Sequence, residues 1–245
     1  MNNVYGTLVA DGKWSMGACN IDLRVEDDLL RYRRECPFGK YEGLLKGLDS
    51  IVIHPAPPLY LPIPGLFTHV YIPIKPQLYI YPDETIKTTV DVTPDIAVSP
   101  ESRGYRYIDV FPVSTPKMAV YGGSADGILS RYLYIYLGDG YPCLSIPIEI
   151  SNEDGEAVTL SKIVIPIGFL DIYYREGDNY AMTNTIKVYI KAGVAEVSKG
   201  GFEGDNMKPI PIETEESLTE RLGLDLSMVK KFLTVNNVFL MDRGL

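Results

Sequence analysis

The sequence predicts a mostly β protein organised as an antiparallel β-sandwich, immunoglobulin-like or jelly-roll-like. An N-terminal β-hairpin region and a short C-terminal helical pair flank it. Three observations carry this expectation. Tyr is common at 18 of 245 residues, and 22 Gly and 18 Pro punctuate the chain. From Thr68 onward, apolar runs of strand length recur with turn signals roughly every ten residues. No helical period intervenes until past residue 208. Hydrophobic residues make up 46% of the chain, ample for a core. The expected divisions are 1–48 for the hairpin region, 49–205 for the sandwich and 206–245 for the helical pair and a final strand.

The first elements have the clearest register. Asp11-Gly12 is a turn signal after a loosely alternating start. Cys19–Glu26 and Leu29–Cys36 form a hairpin if Asp27-Asp28 is a two-residue turn. Residues whose numbers sum to 55 then face each other. One face carries Cys19, Ile21, Leu23 and Val25 against Cys36, Arg34, Tyr32 and Leu30. The other pairs Asp22 with Arg33 and sets Arg31 diagonal to Asp22 and Glu26. A one-residue slip would mix the faces, so the pattern specifies this register. It also places Cys19 opposite Cys36, near disulfide range. Two reduced thiols are the usual cytosolic state, while disulfides occur inside hyperthermophiles, and the sequence leaves both open. Cys143 stands alone.

Residues 37–48 read as a connecting loop with three glycines. An apolar strand then leads into a Pro-dense extended segment over residues 55–64, where helix and central-strand pairing are not expected. The runs HVYIPI, QLYIYP, ETIKTTVDV, DIAVSP, YIDVFPV and MAVYG follow as strands. Residues 121–141 hold the most strongly alternating run. Tyr132, Tyr134 and Tyr136 share one face, with Leu133, Ile135 and Leu137 on the other. A strand apolar on both faces is expected at the centre of the fold, covered on both sides. CLSIPIEIS, AVTLSKIVIPI, LDIYY and TIKVYIKAGVAEV continue the strands, and residues 152–155 and 176–179 are hairpin turn signals. Residues 199–208 read as a mobile loop. Residues 214–222 and 226–233 read as two short helices, with Thr214 and Asp225 as N-caps and Gly223 ending the first. The tail VNNVFLMDRGL reads as a strand that returns to the sheet.

The net charge of −9, with no run of Lys or Arg longer than two, argues against a general nucleic-acid or anionic-membrane surface. The N-terminus lacks a basic start followed by an apolar core, so no signal peptide is expected, and no apolar run reaches the ~20 residues of a membrane helix. The expected location is cytoplasmic. Gln77 is the single Gln, and its scarcity beside many Tyr, Ile and Pro is what a thermophile's protein looks like.

Few residues carry chemistry. His54 and His69 flank the Pro-dense segment and are the candidate metal or acid–base residues, although a His beside Pro on a strand is more often structural. Ser124 lacks the helix that follows a nucleophile elbow. Asp139, Glu153, Asp154 and Glu156 lie in or beside turns, without calcium-loop spacing. No cofactor is expected. Residues 214–233 resemble a DNA-binding helix-turn-helix through Leu218, Leu222, Gly223, Val229 and Leu233. The second helix offers only Lys230 and Lys231, with no Arg or Asn to read bases. Tyr132, Tyr134 and Tyr136 form an interaction surface if their face is left uncovered.

Several short matches point to a family. They are Tyr5-Gly6, Pro57-Pro58 with Thr68-His69, Ile108-Asp109-Val110-Phe111, Tyr121-Gly122 with Gly127-Ile128 and Arg131-Tyr132, and Val238-Phe239-Leu240-Met241. Through these the chain resembles an archaeal family of uncharacterised β-rich proteins, a domain of unknown function. The resemblance implies an archaeal source and assigns no activity or site residue. The leading functional expectation is therefore a non-catalytic binding or scaffolding protein, acting through contacts with a protein partner or a second copy. The alternatives are an enzyme or small-ligand-binding protein with a site assembled from distant residues, and DNA binding through residues 214–233.

Overall fold

The computed structural model describes residues 5–37, 39–58, 67–101, 107–121, 128–210 and 239–242. The chain opens with β1 (Gly6–Val9), β2 (Gly12–Met16), β3 (Cys19–Glu26), β4 (Leu29–Cys36), β5 (Gly39–Lys46) and β6 (Ser50–Ala56). Next come β7 (His69–Ile80), β8 (Thr85–Val92), β9 (Asp95–Pro100), β10 (Asp109–Phe111), β11 (Lys117–Tyr121) and β12 (Ile128–Tyr132). β13 (Cys143–Asn152), β14 (Val158–Pro166), a 3-10 turn (Ile167–Phe169), β15 (Ile172–Tyr174) and β16 (Tyr180–Thr183) follow. β17 (Ile186–Lys191), β18 (Val194–Lys199), β19 (Lys208–Pro209) and β20 (Phe239–Asp242) close the described order.

The protein is mostly β. Its described strands form a four-stranded hairpin sheet, β2-β3-β4-β5, and a four-stranded hub sheet, β1-β6-β9-β10. A five-stranded central sheet runs β14-β7-β12-β11-β20. A seven-stranded large sheet runs β18-β17-β13-β16-β15-β19, with β8 against β13. Most pairings are antiparallel. The exceptions correct the all-antiparallel expectation: β12 runs parallel to β7, β11 to β20, and β13 to both β16 and β17. The chain alternates between sheets rather than finishing one before starting the next. Strands distant in sequence therefore become neighbours.

The hairpin sheet shows how directly pattern becomes structure. Ile21 faces Arg34, Asp22 faces Arg33 and Leu23 faces Tyr32, the register whose numbers sum to 55. Asp27 and Asp28 turn with φ of 48° and 65°, the left-handed pair that a two-residue hairpin requires. Asp tolerates this region better than most side chains, because its short polar group bonds locally. Ile21, Leu23, Leu30 and Tyr32 are buried on the inner face. Cys19 and Cys36 meet at the end of the hairpin, their Sγ atoms 2.09 Å apart and bonded.

Several expectations are corrected. Most of the loop expected over 37–48 is a strand: β5, over 39–46, extends the hairpin sheet by pairing with β4 along its whole length. β6 is a two-sided strand despite Pro55. Its described pairing with β1 ends at Ile53, so among the described strands the proline has β9 alone as a neighbour. HVYIPI and QLYIYP are one strand, β7, of 12 residues. Pro73 and Pro76 fall beyond the segment of β7 that pairs with β12. TIKVYIKAGVAEV is two strands, turned at Ala192 and Gly193 with φ of 51° and 71°. Residues 152–155 turn the chain, but not into a hairpin, because β13 and β14 belong to different sheets. The buried Asn152 amide donates to the carbonyls of Ile80, Tyr81 and Glu156 and so fixes this crossover. Residues 199–208 are pinned by Phe202, which stacks on Tyr173 at 3.7 Å.

The expected helical pair over residues 214–233 lies outside the described residues. β20 pairs beside β11, as expected of the tail. Among the described residues no helix is long and apolar enough to cross a membrane. One continuous apolar cluster unites the sheets, with Leu8 and Ile53 from the hub sheet and Ile21 and Leu30 from the hairpin sheet. Ile72 and Ile163 come from the central sheet, and Ile146 and Val188 from the large one.

The bonded pair gives a direct check. Mass analysis under non-reducing conditions should find the chain lighter by two hydrogens than its reduced form. An alkylating reagent should then label only Cys143, and only after denaturation, because that thiol is buried. Three alkylated cysteines without reductant would rule the bond out.

Candidate functional site

An apolar cleft lies beside β14. Its volume is about 310 Å³, within the range of small ligand pockets. Leu160, Ile163 and Phe169 wall one side, and Val188, Ala195 and Val197 the other. His69, Ser161 and Lys162 supply polar groups. The elements explain its place. β14 is the outermost strand of the central sheet, and β17 and β18 end the large sheet. Val188 faces Val197 in the β17–β18 hairpin, so both valines share one face. On β14 the register jumps between Leu160 and Lys162, where residues 74–77 of β7 stand against Ser161 alone. Such an irregularity bends a strand and re-aims its side chains. Pro76 sits in that segment and has no N–H to offer a regular ladder.

His69 stands at this cleft, with Nδ1 2.8 Å from the Thr68 hydroxyl. Partial burial lowers its pKa from the ordinary value. His54 is in different surroundings. Its side chain is fully buried, with ring centroids 5.4 Å from Tyr107 and 6.1 Å from Tyr174. Nδ1 lies 3.0 Å from the Pro55 carbonyl, an acceptor, so Nδ1 carries the proton and donates. Among the described residues Nε2 has no hydrogen-bond partner. Burial lowers the His54 pKa to about 4, against the opposing pull of the Pro55 carbonyl. This is a neutral core histidine. Among the described residues no group of three or more His, Cys, Asp or Glu side chains is placed to hold a metal ion.

The tyrosines are neither core nor bare surface. β12 ends at Tyr132, and the chain then leaves the central sheet and crosses to β8. Thr93 donates its amide to the Tyr134 carbonyl, and Tyr136 donates to that of Asp91. Tyr132, Tyr134 and Tyr136 are half-buried, while Ile135 and Leu137 are exposed. This corrects the expected central strand covered on both sides. Tyr132 stacks on the buried Tyr71 at 5.5 Å and meets Tyr134 edge-on at 5.4 Å. Lys117 Nζ lies 5.1 Å and 5.5 Å from the Tyr132 and Tyr134 ring centres. Burial raises the pKa of all three phenols.

Sequence reasoning thus found His69 without the cleft it borders. The walls are ordinary apolar strand residues whose meeting depends on a long-range crossover. The one local signal was Pro within an apolar run.

The family model described as "Protein of unknown function (DUF432)" matches residues 4–235. The chain belongs to that family. The match to this DUF432 family covers β1 to β19 and stops short of β20. No curated protein and no solved structure matches the chain.

His54 supports a stability prediction. Its folded pKa of about 4 lies below the ordinary 6.5, so the unfolded chain binds the proton more tightly. Stability is then complete above about pH 6.5 and declines as pH falls toward about 4, by on the order of 3 kcal/mol. Thermal melts across that window should show a steeper decline for the native chain than for His54→Phe. Equal slopes would contradict the assignment.

Proposed function

We propose that this protein is a non-catalytic binding module that docks an extended, apolar segment of a protein partner in the cleft beside β14. One observation carries the reading: an apolar cleft of about 310 Å³ runs along the outermost strand of a sheet. An outermost strand offers main-chain donors and acceptors, and a cleft beside it offers a pocket for side chains. Peptide recognition by strand addition uses these two parts together. The walls supply hydrophobic affinity, and His69, Ser161 and Lys162 supply polar contacts that set orientation. The β-sandwich belongs to the same reading, with the central and large sheets as two layers and the cleft at their shared margin.

A small apolar ligand is the second reading, because the volume also suits a molecule of modest size. Ala195 separates the two. It is exposed at the cleft wall, so Ala195→Trp fills the cleft without entering the core. Peptides selected from a displayed library against the native chain should be apolar at alternate positions. They should lose about tenfold or more in affinity for Ala195→Trp, since filling the pocket removes the anchoring side chain. If no selected peptide depends on Ala195, while an anilinonaphthalene dye binds the native chain and not the variant, the small-ligand reading replaces this one.

A further inference from the structure

The hairpin sheet ends in β5, a strand of eight residues whose pattern is exposed or half-buried throughout. β4 covers one edge of β5, and among the described strands none covers the other. Two of the usual protections of such an edge, a proline and a bulge, are missing, although Lys40, Glu42 and Lys46 keep it charged. β5 contains no Pro, and its register with β4 runs without a bulge from Leu29↔Lys46 to Cys36↔Gly39. It is longer than β2 at the opposite edge of the sheet and β18 at the edge of the large sheet. Leu44 is 60% exposed and Tyr41 is 38% exposed, apolar surface that a lone edge strand leaves in water.

The charges on β5 select a partner. Lys40, Glu42, Leu44 and Lys46 share one face, opposite Glu35, Arg33, Arg31 and Leu29 of β4. Consider a second β5 laid antiparallel against the first about a twofold axis normal to the sheet. An axis at Leu44 sets Leu44 against Leu44, and Glu42 of each copy against Lys46 of the other. An axis at Gly43 sets Lys40 against Lys46, and an axis at Glu42 sets Glu42 against itself. Like charges directly opposite destabilise a strand pair, and opposite charges stabilise it. An axis at Tyr41 also opposes unlike charges, Lys40 against Glu42, but it leaves Leu44, the more exposed apolar side chain at 60%, outside the paired β5 segments. The Leu44-centred register pairs opposite charges and covers that side chain as well. On the other face it sets Leu45 against Gly43, where the small residue leaves room.

We infer that β5 is a self-association edge, through which two copies of this chain join their hairpin sheets into one continuous antiparallel sheet centred on Leu44. A twofold contact of this kind uses the same patch on both copies. It is separate from the cleft beside β14 and stands or falls independently of it.

Sedimentation analysis across micromolar concentrations tests this. The native chain should be dimeric. Lys46→Glu should weaken the dimer about tenfold or more, because it sets Glu against Glu42 of the other copy. Glu42→Lys should do the same. Glu42 also holds Arg31 within the chain, so circular dichroism melts accompany this variant. The double variant Glu42→Lys/Lys46→Glu should restore the dimer, which a merely local effect on folding would not do. A native chain that stays monomeric overturns the inference. So does a dimer that Lys46→Glu leaves intact, or a double variant that fails to recover. Ala195→Trp should leave the dimer unchanged.

Discussion

Asp95 and Arg131 form the contact on which the arrangement of the sheets depends. Asp95 opens β9 in the hub sheet, and Arg131 lies on β12 in the central sheet. Arg131 Nη2 donates to Asp95 Oδ1 at 3.1 Å, and both side chains are almost fully buried. Nη1 also donates to the carbonyls of Lys117 and Tyr132. Satisfaction is incomplete, since among the described residues Asp95 Oδ2 and Arg131 Nε have no partner. Burial raises the Asp95 pKa in spite of the guanidinium beside it. Such a pair adds little net stability compared with an apolar replacement of both members, but removing one member strands a charge in the core. Its effect is positional. Only one placement of β12 against β9 lets both charges be met.

A second clamp works from the neighbouring strand. Asp109 on β10 receives Arg34 Nε at 2.6 Å and the Tyr32 hydroxyl at 2.8 Å, both from β4. The hub sheet therefore takes an arginine from the central sheet through Asp95 and another from the hairpin sheet through Asp109. The large sheet is tied on differently. Tyr5 exchanges backbone hydrogen bonds with Asp178 and Gly177, and its ring meets Tyr174 at 5.9 Å. The chain of consequences runs outward from the hub. β12 positions β7, β7 positions β14, and β14 forms one wall of the cleft. At the far edge of the hairpin sheet, β5 is exposed or half-buried along its whole length.

Much of the local structure was legible in the sequence, for identifiable reasons. The β3–β4 register was written in alternation and in the pairing of Asp22 with Arg33, because one face had to be buried and a slip would have exposed it. The bounds of β9 followed from a β-branched run closed by Pro100. What stayed hidden was long-range. Nothing local distinguishes β12, which pairs in parallel with β7, from an antiparallel strand. A turn such as residues 152–155 reads the same whether the chain returns along its own sheet or crosses to another. Asn152 decides that through three carbonyls, two of which belong to residues 80 and 81. The tyrosine run misled because alternation describes a strand without saying where its partner strands stop. The cleft was invisible for the same reason. His69 was singled out, but its apolar neighbours are recognisable only once the central and large sheets meet. Asp109 and Arg131 stood among the residues that carried the family resemblance, where neither could be read as half of an ion pair.

The most direct test of the hub arrangement is the stability of Asp95 and Arg131 variants in urea. Asp95→Asn should destabilise the chain by about 3 kcal/mol or more, because it leaves the Arg131 charge buried and uncompensated. The double variant Asp95→Leu/Arg131→Met should recover most of that loss, because it removes both charges and keeps the volume. If Asp95→Asn unfolds within about 0.5 kcal/mol of the native chain, a difference typical of neutral surface substitutions, the buried pair does not hold the hub and central sheets together.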